Sequence, residues 1–375
     1  MAFDVSLPQE RLEQLLRATG RAASGRAPQP VLQGLLLATD GDRLAATGYD
    51  LSMGVRSETL ATVAEAGSVV APYRMLSALV AALPEGSLVR LASDGTGGLA
   101  LEAGEGRYSV ALTHEPEDFP TLPTLGDIEP IGLPYGTIKR ALNAVAFCVS
   151  TEESKQILCG VQFSIEGRDL RVSGIDGNRG SFYDLPGIVE TGEVSSFVVP
   201  ASAVKEVLKL GLADDDLLLV MHTEAFAAFE AGDTTIFTNL LAGAYPPFFT
   251  LLSETCKTQI IGDRQGLISA VERAAIVANA ETGAISLTHD AKTGDISISA
   301  ANESGSAADL VPTQSGSTGQ DFTLTLNSRF ALDALRHIES ESVLVAFNHE
   351  RLIQLSPVGS SLHRQLVATI SKATA

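Results

Sequence analysis

Few side chains with chemistry of their own stand at spacings that would let them use it. The six histidines, His114, His222, His289, His337, His349 and His363, form no close-spaced metal motif. The three cysteines, Cys148, Cys159 and Cys256, are odd in number and not at metal-ligand spacing, which fits a reducing compartment. HExxH, CxxC, a Walker-type glycine loop and GxSxG are all missing from the sequence. Asp214-Asp215-Asp216 reads as a turn rather than a metal site. No catalytic residue, metal ligand or cofactor site is assigned. What remains is charge. Lys205 and Lys209 stand four apart on one helix face, Arg329, Asp333 and Arg336 share another, and Arg17 and Arg21 a third.

The elements that carry these residues recur. Residues 170–182 read as a strand running into a tight turn, Asp176-Gly177-Asn178, with Arg179 at its tip. Glycine supplies backbone freedom there and asparagine tolerates left-handed geometry. The same frame stands at residues 44–55 and 296–307, and the marker glycines Gly34, Gly160 and Gly283 lie 126 and 123 residues apart. A second series reads strand, cap, amphipathic helix at Pro72, Pro200 and Asn327, spaced 128 and 127. Proline suits the start of a helix and Asn327 an N-cap. Two marker series with one period predict three equal domains, 1–127, 128–256 and 257–375. Each is expected to hold two half-modules of one helix and several antiparallel strands, an α+β class. The helices are expected over 8–26, 72–83, 134–146, 200–210, 263–277 and 327–338.

The chain of 375 residues carries a net charge of −19, which taken whole argues against a nucleic-acid partner. The charge is segregated, however. The six expected helices hold thirteen basic and six acidic residues, a net +7. Glutamate forms helices as well as lysine does, so propensity alone does not explain its deficit. Opposite the basic faces stand apolar ones: Leu12, Leu15 and Leu16 on the first helix, Val204, Val207 and Leu208 on the fourth. Each helix thus packs an apolar stripe on its sheet and turns a mildly basic face outward. Helices set side by side would form a cationic surface on an otherwise acidic protein, suited to a polyanion. The N-terminus lacks a secretory pattern, and no run approaches the roughly 20 apolar residues of a membrane span.

In order along the chain stand "GRAPQPVLQGLLL", "GYDLS", "DFPTL", "TIKRALNAVAF", "LCGVQFSIEGRDLRVSGIDGNR", "VVPASAVKEVL", "GAYPPF" and "ERAAIVAN". Together they resemble the family of bacterial sliding clamps, the β subunits of the replicative DNA polymerase III, over residues 3–370. The resemblance implies the DNA clamp fold: three repeated clamp domains forming half of a ring, closed by a second copy. It implies a processivity factor that encircles double-stranded DNA, docks peptides of the polymerase and of other replication and repair proteins, is opened by an ATP-driven loader, and hydrolyses nothing itself. Arg26 matches a DNA-contacting arginine and Arg74 a basic position on the next helix. The other helix cations expected to face DNA are Lys139, Arg140, Lys205, Lys209, Arg264, Arg273, Arg329 and Arg336. At the subunit junction Ile276 and Val277 match apolar contacts, and Arg107 and Glu303 charged partners.

The peptide pocket implied by the resemblance takes Leu158, Ile175, Gly177, Asn178, Arg179, Pro246, Leu251, Leu366 and Ile370, with Arg179 at its rim to orient a peptide backbone or acid. Asn178 stands where the family usually has histidine, Thr250 replaces a basic residue, Gln156-Ile157 replace tyrosines, and the ending "LVATISKATA" is longer and more polar than usual. The expected location is the bacterial cytoplasm, with the nucleoid. The competing reading is a diverged clamp-like adaptor for proteins without a replicative DNA role, which the helix charges disfavour.

Overall fold

The structure is a computed structural model that describes the chain except for residues 1–2, 24–28, 94–96, 124–125, 127, 191–193, 319, 349–350 and 371–375. Arg26 and the expected boundary at residue 127 therefore lie outside the described residues. Six α-helices are described: α1 (Gln9–Thr19), α2 (Tyr73–Ala81), α3 (Tyr135–Ala146), α4 (Ala201–Val207), α5 (Arg264–Val277) and α6 (Ser328–Arg336). Each follows directly on a strand, and the residue at the junction is Pro8, Pro72, Pro134, Pro200, Asp263 or Asn327. The four prolines have no N–H to leave unpaired at a helix start. Asp263 and Asn327 instead accept from helix N–H groups, Asp263 from Gly266 at 2.5 Å and Asn327 from Arg329 and Phe330 at 3.0 and 3.3 Å.

All six helices are shorter than expected, the first and the fourth by the most. The first ends at Thr19, because Gly20 is a poor helix residue and the next bonds tighten to Ala22 N–H on Thr19 O and Ala23 N–H on Gly20 O. Arg21 therefore stands beyond α1. The fourth ends at Val207, and Lys209 and Leu210 continue only as i→i−3 turns.

The chain divides into two compact units, residues 1–135 with 205–240, and residues 136–204 with 241–375. The first unit holds a five-stranded antiparallel sheet in the order Thr62–Glu65, Asp4–Pro8, Leu88–Ser93, Gly98–Ala103, Gly106–Ala111. Its second sheet has eight strands: Ile131–Pro134, Leu217–His222, Phe226–Ala231, Thr234–Asn239, Met53–Leu60, Arg43–Tyr49, Gly34–Asp40 and Ser68–Pro72. α1 and α2 bury Leu12, Leu16, Leu76 and Val80 in the same core as Phe3, Leu35, Leu91 and Leu101.

The second unit repeats the arrangement. Its eight-stranded sheet runs Ser195–Pro200, Gly160–Glu166, Asp169–Ile175, Arg179–Leu185, His363–Ala368, Leu352–Pro357, Ser342–Phe347, Thr258–Asp263. A four-stranded sheet runs Gly305–Pro312, Asp295–Asn302, Ala284–Asp290, Phe322–Asn327. α5 and α6 bury Leu267, Val271, Ala331 and Leu335 in its core.

The sheets do not respect the sequence repeats. In the first unit Met53 pairs with Thr238 and Val55 with Ile236, joining the first repeat to the second. In the second unit Arg179 pairs with Val367 and Ser181 with Gln365, joining the second repeat to the third.

Two equivalent glycines let helix and strand approach closely. A Cβ on Gly48 would stand 2.2 Å from Thr19 O, and one on Gly174 would stand 2.2 Å from Val145 O. Both obstacles are backbone and cannot swing aside. Gly48→Ala and Gly174→Ala should each destabilise by about 1–3 kcal/mol through overpacking. Gly132→Ala, whose methyl would meet nothing nearer than 3.8 Å, should change little. Urea unfolding of the three variants checks this, and equal midpoints would contradict it.

Candidate functional site

The corner at residues 176–179 is built from its own side chains. Asp176 Oδ1 accepts from the N–H groups of Asn178 and Arg179 at 2.8 and 3.0 Å. Gly177 has φ +99°, which a side chain would strain. Gly177 and Asn178 are exposed. The same turn recurs in the other repeats: Asp50 Oδ1 accepts from Ser52 and Met53 N–H, and Asn302 Oδ1 from Ser304 and Gly305 N–H.

Arg179 is not at a rim. Its side chain is only 7% exposed. Its Nε donates to Asp176 Oδ2 at 2.9 Å, one terminal nitrogen to Asp333 Oδ2 at 2.7 Å and the other to Phe147 O at 3.4 Å. The guanidinium lies over Phe330, 4.6 Å from the ring centre. Each guanidinium nitrogen has a partner within the chain, so Arg179 holds the corner from inside rather than standing at a rim as expected. Two carboxylates are what make its burial tolerable, because desolvating an unpaired charge is costly. Asp333 stands on α6, so the pair ties the second repeat's corner to the third repeat's last helix.

Beside this tie lies an apolar cluster. Leu158, Ile175, Phe182 and Leu366 are buried together, and Ile157, Tyr245, Phe248, Phe249, Leu252 and Leu352 pack on them. Leu158, Ile175 and Leu366 are thus brought together as expected. Leu251 is 53% exposed. The 3-10 turn at Phe248–Leu251 turns Leu252, rather than Leu251, into the cluster. Pro246 and Ile370 are partly exposed. The missed residues are chiefly aromatic. Phe248 and Phe249 come after a double proline that forces an irregular turn, and that composition was the available signal. Arg171 lies over the Phe249 ring at 4.7 Å and holds it in place.

His363 is 5% exposed, and its Nε2 stands 2.9 Å from Ser181 Oγ and 3.2 Å from Gln365 Nε2. Burial, with the nearby His337, brings its pKa down to about 4, against a smaller opposing hydrogen bond to Ala144. Cys148, beside Arg179, is buried, and burial pushes its thiol up. All three cysteines are free. Among the described residues no group of three or more His, Cys, Asp or Glu could hold a metal ion, and no helix is long and apolar enough to cross a membrane.

The expected basic positions differ in how free they are. Arg74, Arg140, Lys205 and Arg329 are exposed and, among the described residues, in no ion pair. Arg11 on α1, outside the expected set, is the same. Lys139 is half-buried. Arg264 donates to Ser340 O at 2.7 Å. Arg273 makes two 2.9 Å bonds to Asp309, Arg336 pairs with Glu272 at 2.7 Å, and Lys209 with Glu206 at 2.7 Å.

The expected junction residues sit near two sheet edges that have no strand partner among the described residues. Gly106–Ala111 ends the five-stranded sheet and Gly305–Pro312 ends the four-stranded one. Arg107 and the partly exposed Tyr108 lie on the first edge, and Leu310, 69% exposed, lies on the second. α5 packs on the second edge strand and presents Ile276, 81% exposed, with Val277 partly covered. Glu303 is exposed in the turn before that strand.

Three consecutive profiles of one family match this chain. They describe the DNA polymerase III beta subunit: its N-terminal domain over residues 1–123, its central domain over 132–247 and its C-terminal domain over 250–371. The beta sliding clamp of Synechocystis is 26% identical, over 96% of this chain and 97% of its own length. That of Bacillus subtilis is 23% identical over 91% and 92%. The crystal structure of the Bacillus subtilis clamp covers 99% of this chain and all of its own, with a TM-score of 0.93 at 22% identity. A Pseudomonas aeruginosa sliding clamp bound to griselimycin gives 0.92 at 22%, again covering 99% of this chain and all of its own.

His363 yields a pH dependence. Its folded pKa of about 4 lies below the ordinary 6.5, so below pH 6.5 the unfolded chain binds the proton more readily. Stability is full above pH 6.5 and falls as pH drops towards 4. Between pH 7 and 4 the wild type should lose about 2–3 kcal/mol more than His363→Gln. Urea midpoints for both proteins at the two pH values measure the difference, and parallel losses would rule this histidine out as the source.

Proposed function

This chain belongs to the DNA polymerase III β-subunit family, the bacterial sliding clamps, and on that premise we propose how its residues divide the work. The protein is a non-catalytic DNA sliding clamp of the replicative polymerase. The observation that carries the residue-level reading is the charge segregation. Arg11, Arg74, Arg140, Lys205 and Arg329 stand exposed and outside ion pairs among the described residues, one on each helix but α5. The sum over the rest of the chain is strongly acidic. Duplex DNA meeting these helices is attracted, and DNA elsewhere is repelled. The attraction is diffuse, as sliding requires, because a tight phosphate grip would stop movement. Arg26 belongs to the same set by sequence alone.

The surface over the apolar cluster of Leu158, Ile175 and Leu366, with Pro246, Leu251, Ile370 and the exposed Gly177-Asn178 corner, is where the partner peptide docks. Arg179 supports the corner from behind. Partners of this surface are the polymerase catalytic subunit, the loader and other replication and repair proteins. The clamp works in the cytoplasm, with the chromosomal DNA.

Ring closure extends the internal pairing rule. The strand after the Asp50 turn pairs with the last strand of the second repeat, Met53 opposite Thr238. The strand after the Asp176 turn pairs with the last strand of the third, Arg179 opposite Val367. The strand after the Asn302 turn, Gly305–Pro312, and the last strand of the first repeat, Gly106–Ala111, are left as edges. The same rule applied between two chains pairs these edges head to tail, with Gly305 opposite Val110 and Ala307 opposite Tyr108 of the second copy. Ile276, Val277 and Leu310 supply apolar cover, and Arg107 and Glu303 opposite charges.

Two measurements test the reading. Protein loaded by a clamp loader onto nicked circular DNA should be retained there and lost once the circle is cut. Equal retention on both forms would refute a topological hold. Ile276→Asp with Leu310→Asp should convert a dimer into a folded monomer by sedimentation, since each buried aliphatic is worth about 1.5–3 kcal/mol and each new charge would be unpaired. A dimer that survives would place the interface elsewhere.

A further inference from the structure

The basic face of the first unit contains a carboxylate that has no place in a purely attractive surface. Glu206, on α4, is 12% exposed on its side chain. It accepts from Arg21 at 3.3 Å and from Lys209 at 2.7 Å. Arg21 lies 185 residues away in sequence, just past the end of α1. A second acid acts alongside: Glu13 holds Arg17 at 2.9 Å and is itself fixed by Gln9 at 3.0 Å. Arg17, Arg21, Glu206 and Lys209 line one cleft of about 180 Å³ with Val55 and Ile236. Lys205, one residue before Glu206, is exposed and in no ion pair with a described residue.

We propose that Glu206 is an internal competitor for DNA phosphate, holding Arg21 and Lys209 back so that the first unit's contact with the duplex stays weak. This rests on the clamp reading above and adds a residue whose charge opposes the partner. A phosphate approaching the cleft meets three cations and one carboxylate, Glu206. It meets Arg21 and Lys209 with one N–H of each already given to Glu206 and with the carboxylate's charge set against its own. A carboxylate this well covered costs desolvation that a neutral side chain would avoid. Its effect at the surface is to exchange two mobile phosphate ligands for two fixed ones. A clamp needs enough cationic character to be centred on DNA and too little to stop on it, and Glu206 sets that level in this unit.

The test is equilibrium binding of the full-length protein to a short labelled duplex, by fluorescence anisotropy across salt. Glu206→Gln keeps the shape and an acceptor oxygen and removes the charge. Its affinity at low salt should rise about fivefold or more, and its salt slope should steepen by about one to two, one for each cation released. Adding Arg21→Gln and Lys209→Gln to Glu206→Gln should remove that gain in affinity and in slope. A Glu206→Gln protein that binds at or below wild-type affinity with the wild-type slope would overturn the proposal and leave Glu206 a tie between α1 and α4. Arg74→Glu with Lys205→Glu separates the two failures. If that pair also leaves binding unchanged, the DNA-facing assignment of the helices is wrong and Glu206 falls with it. If that pair weakens binding while Glu206→Gln stays flat, only the competitor role is lost.

Discussion

The structure of the second unit depends on one junction, the antiparallel ladder between Arg179–Leu185 and His363–Ala368. Without it the second and third repeats would each end in an open sheet edge. With it they share eight strands. Backbone pairing alone does not fix such a junction, since a slipped register would also satisfy hydrogen bonds. Slipping by one would exchange the two faces of the strand. Arg179 opposes that slip. Its side chain reaches Asp333 on α6 while its N–H is held by Asp176, so helix, turn and ladder agree on one position. Ser181, the next residue on the same face, bonds Ala144 O and contacts His363. The apolar cluster is a consequence: Ile175 and Leu366 meet because their strands are locked on either side of this junction.

A buried arginine between two carboxylates contributes specificity more than net stability, because the desolvation of three charges offsets much of the Coulombic gain. The same physics acts differently on the helix faces. There the pairs are exposed, solvent screens them, and each is worth little to folding. Their consequence is electrostatic. Arg273, Arg336 and Lys209 each have an acid within hydrogen-bond reach, whereas Arg74, Arg140, Lys205 and Arg329 have none among the described residues. A count of basic residues therefore overstates the cationic surface that a polyanion meets.

Much of this was legible in the sequence, for a definite reason. Proline before a helix, an asparagine cap and a glycine beneath a crossing carbonyl are local requirements, and each leaves a fixed residue type at a fixed spacing. Pro72, Pro200 and Asn327 gave the period, and Gly48 and Gly174 explain part of why the frame repeats. The fusion of sheets across repeats was not legible, because edge and interior strands of a two-faced sheet carry the same alternation. Arg179 was misplaced for a related reason: a charged residue at a turn reads as exposed until the partner 154 residues away is known. Leu251 and Leu252 differ by one step in an irregular turn that has no period from which to choose between them. The early end of α1 was available in Gly20, but continuing amphipathicity through Arg21 outweighed it.

The three Asx turns separate the needs of the fold from the use a single repeat makes of it. Asp50, Asp176 and Asn302 fix the same backbone turn with the same pair of N–H bonds. The residue leaving the turn differs from repeat to repeat. Met53 enters a paired strand and is buried as an apolar side chain. Arg179 enters a paired strand and commits its side chain to the neighbouring repeat's helix. Gly305 begins a strand whose outer edge has no strand partner among the described residues. An open edge beside exposed Leu310 and Ile276 is an aggregation hazard unless it is covered. The first repeat offers the complementary open edge at Gly106–Ala111, with Tyr108 exposed on it. Among the described residues both edges lack the partner strand that the equivalent strands of the other repeats possess, which is the physical ground for the head-to-tail pairing proposed above.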